Sequence, residues 1–190
     1  ICGTPLGLNI HNYTFFSYRP EEALHISLRE KQVILELLDK INQELQRCID
    51  CYSQKIISKY IELLLDYCER FYERQFITRS EVNKKVFREF NHLLDNHFNV
   101  KVSLSTDVLS DEYCANLLHL SPAYFNDLLK YEIGKEFKEY IQFKRFEIAK
   151  GWLVNTDKTL GQIAQELGFS NSQYFSRLFK KITGCSPNEF

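Results

Sequence analysis

The side chains that follow position 170 are of types that can hydrogen-bond to the edges of nucleic-acid bases. They lie at helical spacing and are Asn171, Ser172, Gln173, Ser176 and Arg177. Arginine can donate two hydrogen bonds to a guanine edge, and asparagine or glutamine can pair similarly with adenine. Lys180 and Lys181 follow and suit phosphate contacts, which position a protein without specifying sequence. Because nothing acidic lies between positions 171 and 181, the stretch predicts a base-reading helix.

A polar helix face is more often an ordinary solvated surface, and that alternative applies to any single helix of this kind. Here the pattern occurs twice, as Y-F-N-D-L-L-K-Y-E-I-G at 124–134 and as Y-F-S-R-L-F-K-K-I-T-G at 174–184. Ala115 and Ala164 precede the two copies, at the place where two closely crossing helices need a small residue. A repeat with these features predicts two helix-turn-helix units.

The first copy has the weaker reading face. Its members would be Ala123, Asn126 and Asp127, with Lys130 as a phosphate contact. Asp127 would repel phosphate but can accept a hydrogen bond from a cytosine amino group, so it is a candidate discriminating contact. Alternatively, this unit contributes mainly shape and backbone contacts, and the sequence leaves both interpretations open.

Helix-start and helix-stop residues predict the elements that hold these side chains. Ser121 and Pro122 suit the start of a helix that ends at Gly134, and Thr159 opens a T-x-x-Q capping box. Ser105 is the predicted cap of a first helix that runs through Val108 and Leu109. The predicted domain covers 105–190, with a first unit at about 105–134, a buried linker helix at about 139–154 and a second unit at about 159–184.

The preceding half has amphipathic periodicity that predicts a long helical hairpin within 21–98, followed by a linker at 99–103. We expect the chain to form a homodimer through residues 31–72, and the apolar positions assigned to that interface are Ile34, Leu38, Ile41, Leu45, Ile61 and Leu64. The alternative occupant of this face is a domain upstream of the chain. The periodicity does not distinguish the two.

Residues 1–20 contain glycines, prolines and several aromatic residues, with a short extended pattern at 13–18. We interpret them as the end of a truncated, β-rich sensor domain, with residues 1–18 a possible remnant strand. The chain begins at Ile1 and contains no methionine, so we expect it to be a fragment of a longer protein.

Composition excludes several classes of function. No apolar run approaches the roughly 18 to 20 residues that span a bilayer, and no signal peptide is visible, so we expect a cytoplasmic protein. Cys48 and Cys51 form a single C-x-x-C within a helical pattern, which favours thiols over a metal site and leaves a redox sensor as a minor alternative. No catalytic constellation or cofactor motif is present, so we predict neither an enzyme nor a cofactor.

Three C-terminal stretches resemble the signature of the AraC/XylS family of bacterial transcription regulators. They are A-K-G-W-L, T-L-G-Q-I-A-Q-E-L-G-F and S-Q-Y-F-S-R-L-F-K-K-I-T-G-C-S-P-N-E-F. The resemblance covers about 105–190. It implies that the second helix of each unit enters successive major grooves on one face of double-stranded DNA. Ala123 and Asp127 depart from the family pattern, in which larger or basic residues often read bases.

The segment from 13 to 98 also resembles the region between sensor and DNA-binding domains in such regulators. The resemblance implies dimerisation through these helices and an upstream cupin-like domain that binds a small-molecule effector. We therefore predict an all-α fragment of a sequence-specific transcription factor. The alternative is a helical protein–protein interaction module that does not bind DNA, which the net charge of −1 would suit.

Overall fold

The computed structural model describes residues 4–100, 109–187 and 189–190, and it contains no β-strand in these ranges. The predicted all-α fold class is confirmed. The α-helices are α1 (Pro5–Asn9), α2 (Leu28–Gln46), α3 (Ser53–Thr78), α4 (Ser80–Val100), α5 (Asp111–Leu117), α6 (Pro122–Ile133), α7 (Phe137–Asn155), α8 (Leu160–Glu166) and α9 (Ser172–Thr183). No helix in the described ranges is both long enough and apolar enough to cross a membrane.

The N-terminal segment is helical where a strand was predicted. After α1 come three 3-10 turns, at Ile10–Asn12, Thr14–Ser17 and Pro20–Glu22. Pro5 occupies the first turn of α1, and the Thr4 hydroxyl accepts a hydrogen bond from the Gly7 N–H. The remnant strand expected over 1–18 was therefore wrong for the residues that are described, because their amide hydrogens bond to carbonyls three or four residues back. Residues 1–3 lie outside the described ranges.

The predicted helical hairpin is formed by α2 and α3. Ser27 and Glu30 make a capping box at the start of α2. Glu30 also accepts a hydrogen bond from Arg74 Nε at 2.7 Å, while Glu44, near the other end of α2, accepts one from the Ser53 hydroxyl at 3.2 Å. These contacts at opposite ends show that the two helices run antiparallel.

The helix α4 packs on the first helix-turn-helix unit. Its Phe90 and Leu94 are fully buried among residues of α5, α6 and α7, and Asn91 accepts a hydrogen bond from the Tyr140 hydroxyl at 2.6 Å. Phe98 also packs against this core, and the helix continues through that contact to Val100. The linker predicted at 99–103 is therefore wrong at its first two positions, and 101–103 lie outside the described ranges.

The first unit begins later than predicted. The hydroxyl of Ser110 accepts a hydrogen bond from the Tyr113 N–H at 3.0 Å, so Ser110 caps α5 and the helix starts at Asp111. The prediction of a helix through Leu109 was wrong because Leu109 precedes this cap. Ser105 and Val108 lie outside the described ranges.

The predicted helix starts at Ser121 and Thr159 and the predicted end at Gly134 are confirmed, whereas the linker helix, predicted at about 139–154, spans Phe137–Asn155. The Ser121 hydroxyl caps α6, and Thr159 forms a capping box with Gln162 at α8. Gly134 and Gly184 end α6 and α9 with φ of +65° and +86°, in the left-handed region that glycine tolerates best.

The linker helix α7 contributes to the cores of both units. Phe137, Tyr140 and Ile141 lie in the first core, while Phe146 and Ala149 lie in the second. One continuous helix thus sets the distance between the two units.

Candidate nucleic-acid interface

The helix α9 is anchored on one side and open on the other. Phe175 and Phe179 are fully buried in the second core. Asn171 caps the helix, because its Oδ1 accepts a hydrogen bond from the Tyr174 N–H at 2.7 Å. The side-chain oxygen of Asn171 is therefore committed to the helix start, which leaves its NH₂ group for a base.

The long polar side chains predicted to contact DNA lie on the open side of α9. The exposed members of this group are Gln173, Arg177, Lys180 and Lys181. Arg177 makes no hydrogen bond or ion pair with any other residue of the described ranges. Lys180 lies close enough to Glu189 to help hold the pKa of that carboxyl below its usual value, although the main cause is hydrogen bonding from Ser186.

The two serines of α9 are less available than its long side chains. Ser172 and Ser176 are half-buried, and the Ser176 hydroxyl donates to the Ser172 carbonyl at 2.8 Å. The hydroxyl proton of Ser176 is thus used within the helix, so this side chain can offer a base only its lone pairs.

On α6, the predicted base-reading polar side chains are already engaged within the protein. Asn126 donates to Asp111 at 2.9 Å, and Asp127 accepts a hydrogen bond from the Tyr18 hydroxyl at 2.7 Å. Burial raises the pKa of the Tyr18 hydroxyl, and the Asp127 charge raises it further, so tyrosine stays the donor of this bond. Ala123 is half-buried, and Lys130 remains exposed.

The start of α6 is also bound by the N-terminal segment. Glu22, which is only 4% exposed, accepts hydrogen bonds from the Ser121 N–H at 2.6 Å and from the Ser121 hydroxyl at 2.5 Å. Arg19 donates to the Asn116 side chain at 2.8 Å. The sequence did not predict these contacts, because about a hundred positions separate the partners and the aromatic residues at 13–18 were interpreted as a strand.

Acidic residues of α3 lie beside the same face. Burial raises the pKa of Glu69, and the nearby carboxylates of Glu73, Asp66 and Asp127 raise it further, while Lys130 opposes them. The surroundings of α6 are therefore negative on the side where its reading residues lie.

The sequence did not predict a role for Arg145 of α7, which lies among the apolar positions of the linker helix. Its guanidinium lies over the Phe169 ring at 6.0 Å, and its Nε is buried without a hydrogen-bond partner in the described ranges. Burial lowers the pKa of Arg145. The side chain joins the linker helix to the turn of the second unit.

The residues assigned to dimerisation lie on the two helices of the α2–α3 hairpin. Leu38 and Leu45 are 45% and 59% exposed. The half-buried members of the set are Ile34, Ile41, Ile61 and Leu64. Cys48 and Cys51 are exposed free thiols at the turn between the two helices.

Comparison with known proteins finds that the second half of the chain is similar to helix-turn-helix regulators. A family model described as a helix-turn-helix domain matches residues 114–190. The HTH-type transcriptional regulator YtdP of Bacillus subtilis is 32% identical over 124 residues, which cover 64% of this chain and 16% of that protein. The HTH-type transcriptional regulator YijO of Escherichia coli is 25% identical over 185 residues, covering 97% of this chain and 62% of that protein.

Among solved structures, the C-terminal domain of AraT, a response regulator from Geobacillus stearothermophilus, is similar to this chain. The identity is 31% and the TM-score 0.45, and the match covers 55% of this chain and 81% of that domain. The chain spans less than two thirds of the length of the two curated relatives named above.

Proposed function

We propose that the chain is an AraC-type helix-turn-helix transcriptional regulator that regulates transcription by binding double-stranded DNA in a sequence-specific manner. The observation that carries this proposal is the open face of α9, where Arg177 projects without a partner in the described ranges. A helix of this kind reads bases with its N-terminal half.

We assign base reading to Asn171, Ser172, Gln173, Ser176 and Arg177, with Arg177 as the main contact. The guanidinium can bind the O6 and N7 atoms of guanine with two hydrogen bonds, and the amide of Gln173 can pair with adenine. Lys180 and Lys181, near the other end of the helix, would bind phosphate. The comparisons offer no support for the alternative of a helical module that does not bind DNA.

The replacement Arg177→Ala tests the role of the second unit. We expect it to cost about 1–3 kcal/mol of binding free energy on a selected operator and to relax the preference at one base pair. Arg177→Lys is the matched control, because it keeps the charge but cannot form the two-pronged contact. A gel-shift titration in which both variants bind as the wild type would remove α9 from the interface.

The first unit would contribute through Ala123, Asn126, Asp127 and Lys130. Asp127 is the candidate for discrimination, since a carboxylate can accept a hydrogen bond from the cytosine amino group. The alternative role, in which this unit supplies shape and backbone contacts, stays open, because Asn126 and Asp127 are engaged within the protein.

We further propose that the protein is a homodimer through residues 31–72. The exposed leucines of α2 support this, because an apolar helix face needs a partner. Leu38→Asp should shift sedimentation from dimer to monomer, whereas Ile77→Asp, at an exposed apolar position outside this range, should not. A chain that is monomeric before any substitution would favour an upstream domain as the occupant.

As a regulator, the protein would act by binding and not by catalysis, in the cytoplasm where bacterial DNA lies. A small-molecule effector would bind a domain that precedes this chain. No cofactor is needed for the contacts assigned here.

A further inference from the structure

Residues 13–22, which we call the covering segment, lie across the part of α6 that would face DNA. Three side chains cross from this segment to the first unit, where Tyr18 contacts Asp127, Arg19 contacts Asn116 and Glu22 contacts Ser121. The Tyr18 ring also packs edge-on against the Tyr124 ring, with centroids 5.1 Å apart. The segment is therefore bonded to a reading residue of α6 and to its cap.

These contacts occupy the positions that DNA would need. The N-terminal half of a recognition helix enters the major groove, and its first amide groups commonly meet phosphate. Here the buried carboxylate of Glu22 accepts the Ser121 N–H instead. Tyr18 holds the carboxylate of Asp127, which could otherwise accept a hydrogen bond from cytosine.

The charge around the segment also opposes DNA. Asp66, Glu69 and Glu73 of α3 are exposed on the side of α3 that faces Asp127 and Lys130. Their negative charges would repel phosphates that approach Lys130. Steric and electrostatic effects thus act in the same direction.

The covering segment is held on α3 by contacts of its own. The Tyr13 hydroxyl donates to Asp66 at 2.6 Å, and the Phe15 ring stacks on Tyr72 at 5.4 Å. Only Arg79 separates the end of α3 from the start of α4, which belongs to the first core. Displacing the segment together with the α2–α3 hairpin would also have to break the packing of Phe76 of α3 against Tyr124 and Leu128 of α6, while α4 keeps its place in the first core.

We propose that the covering segment is an autoinhibitory cover on the first recognition helix. In the closed arrangement the second unit reads DNA alone, and α6 joins it only after the hairpin and its segment move away. This inference rests on the proposed function and adds a regulatory step to it. Whatever displaces the hairpin would convert a one-unit reader into a two-unit reader.

The test compares two tyrosine hydroxyls that each bind a carboxylate. Tyr18→Phe removes a bond that crosses from the covering segment to α6, whereas Tyr13→Phe removes a bond that joins the segment to α3 and does not reach the first unit. The full chain is titrated against DNA that carries both recognition elements and against DNA in which the element for the first unit is scrambled. Tyr18→Phe should tighten binding to the intact DNA on the order of tenfold and should make binding sensitive to scrambling.

The wild type and Tyr13→Phe should bind both DNAs alike and protect one major groove in a footprint. The double variant Tyr18→Phe, Arg19→Ala should show a larger gain than Tyr18→Phe. Protection of both elements by the wild type, with no gain for either Tyr18 variant, would overturn the cover but leave reading by the second unit intact. A wild type that binds no DNA element would overturn the proposed function itself.

Discussion

The two helix-turn-helix units have nearly the same interior and opposite exteriors. Ala115 and Ala164 are at most 1% exposed at the two helix crossings, and Phe125 and Phe175 are fully buried at equivalent places in α6 and α9. A larger or smaller residue at any of these positions would disturb a packed core. The fold of the repeat is therefore retained in both copies.

The exteriors differ in burial and in charge at equivalent positions. Tyr124 of α6 is 5% exposed, because Phe76 and Tyr18 pack on its ring, whereas the equivalent Tyr174 of α9 is 51% exposed. The next equivalent pair is Asp127, which is bonded to Tyr18, and Arg177, which has no partner in the described ranges. The two units share one architecture, so the fold of a unit does not decide whether it is available to read DNA. The segments that pack against its recognition helix do.

The turns of the two units share one backbone conformation but use different residues for it. Each has a residue of positive φ at the same place, His119 at +58° and Gly168 at +76°. Glycine adopts this conformation without a steric penalty, but a residue with a Cβ atom does so at a cost of roughly 1–2 kcal/mol. The first turn is thus the more strained of the two.

The largest expected effect comes from removing one equivalent phenylalanine at a time. Phe125→Ala and Phe175→Ala should each cost about 3–5 kcal/mol of unfolding free energy, because a fully buried ring leaves a cavity. The two losses of unfolding free energy should affect different cores. Phe125 packs edge-on against Phe90 of α4 at 5.0 Å, while Phe175 packs against Phe146 and Phe179 within the second core.

The single tryptophan of the chain separates these outcomes. Trp152 packs against the second core, so its fluorescence reports that unit, whereas far-UV circular dichroism reports all helices. In urea titrations, Phe175→Ala should shift the fluorescence midpoint, and Phe125→Ala should shift mainly the dichroism midpoint. Equal fluorescence shifts for both variants would mean that α7 couples the two cores into one cooperative unit.

Local chemistry explains why much of the second half could be predicted. The caps at Ser121 and Thr159 and the stops at Gly134 and Gly184 depend on residues within one turn of each other. Such signals are complete in the sequence, since the partners of each hydrogen bond are neighbours along the chain.

The covering segment could not be predicted in this way. The partners of Tyr18 and Glu22 lie 109 and 99 positions away, and the local sequence pattern of neither region indicates a contact with the other. The aromatic residues at 13–18 have strand-like composition, but they pack on α3 and α6 from helical turns. Tertiary contacts overrode the local preference here, as they commonly do for short apolar stretches.

The smallest expected effect tests whether the two exteriors differ in function as they do in structure. Lys130 and Lys180 are equivalent, exposed lysines of α6 and α9. Each phosphate contact adds about one unit to the slope of binding against salt concentration, so Lys180→Ala should reduce that slope by roughly one and weaken all sequences alike. Lys130→Ala should leave the slope of the wild type unchanged, because the covering segment and the acidic side of α3 keep phosphate away from α6.

Combining each lysine replacement with Tyr18→Phe completes the test. Once the cover is loosened, Lys130→Ala should acquire a salt effect of about the same size as that of Lys180→Ala, since both lysines can then reach phosphate. Affinities measured at several salt concentrations on one operator give the slopes of the wild type, of Tyr18→Phe and of each lysine replacement in both backgrounds. If Lys130→Ala reduces the slope in the otherwise wild-type chain, both units already contact the backbone, and the burial of Tyr124 has no consequence for DNA binding.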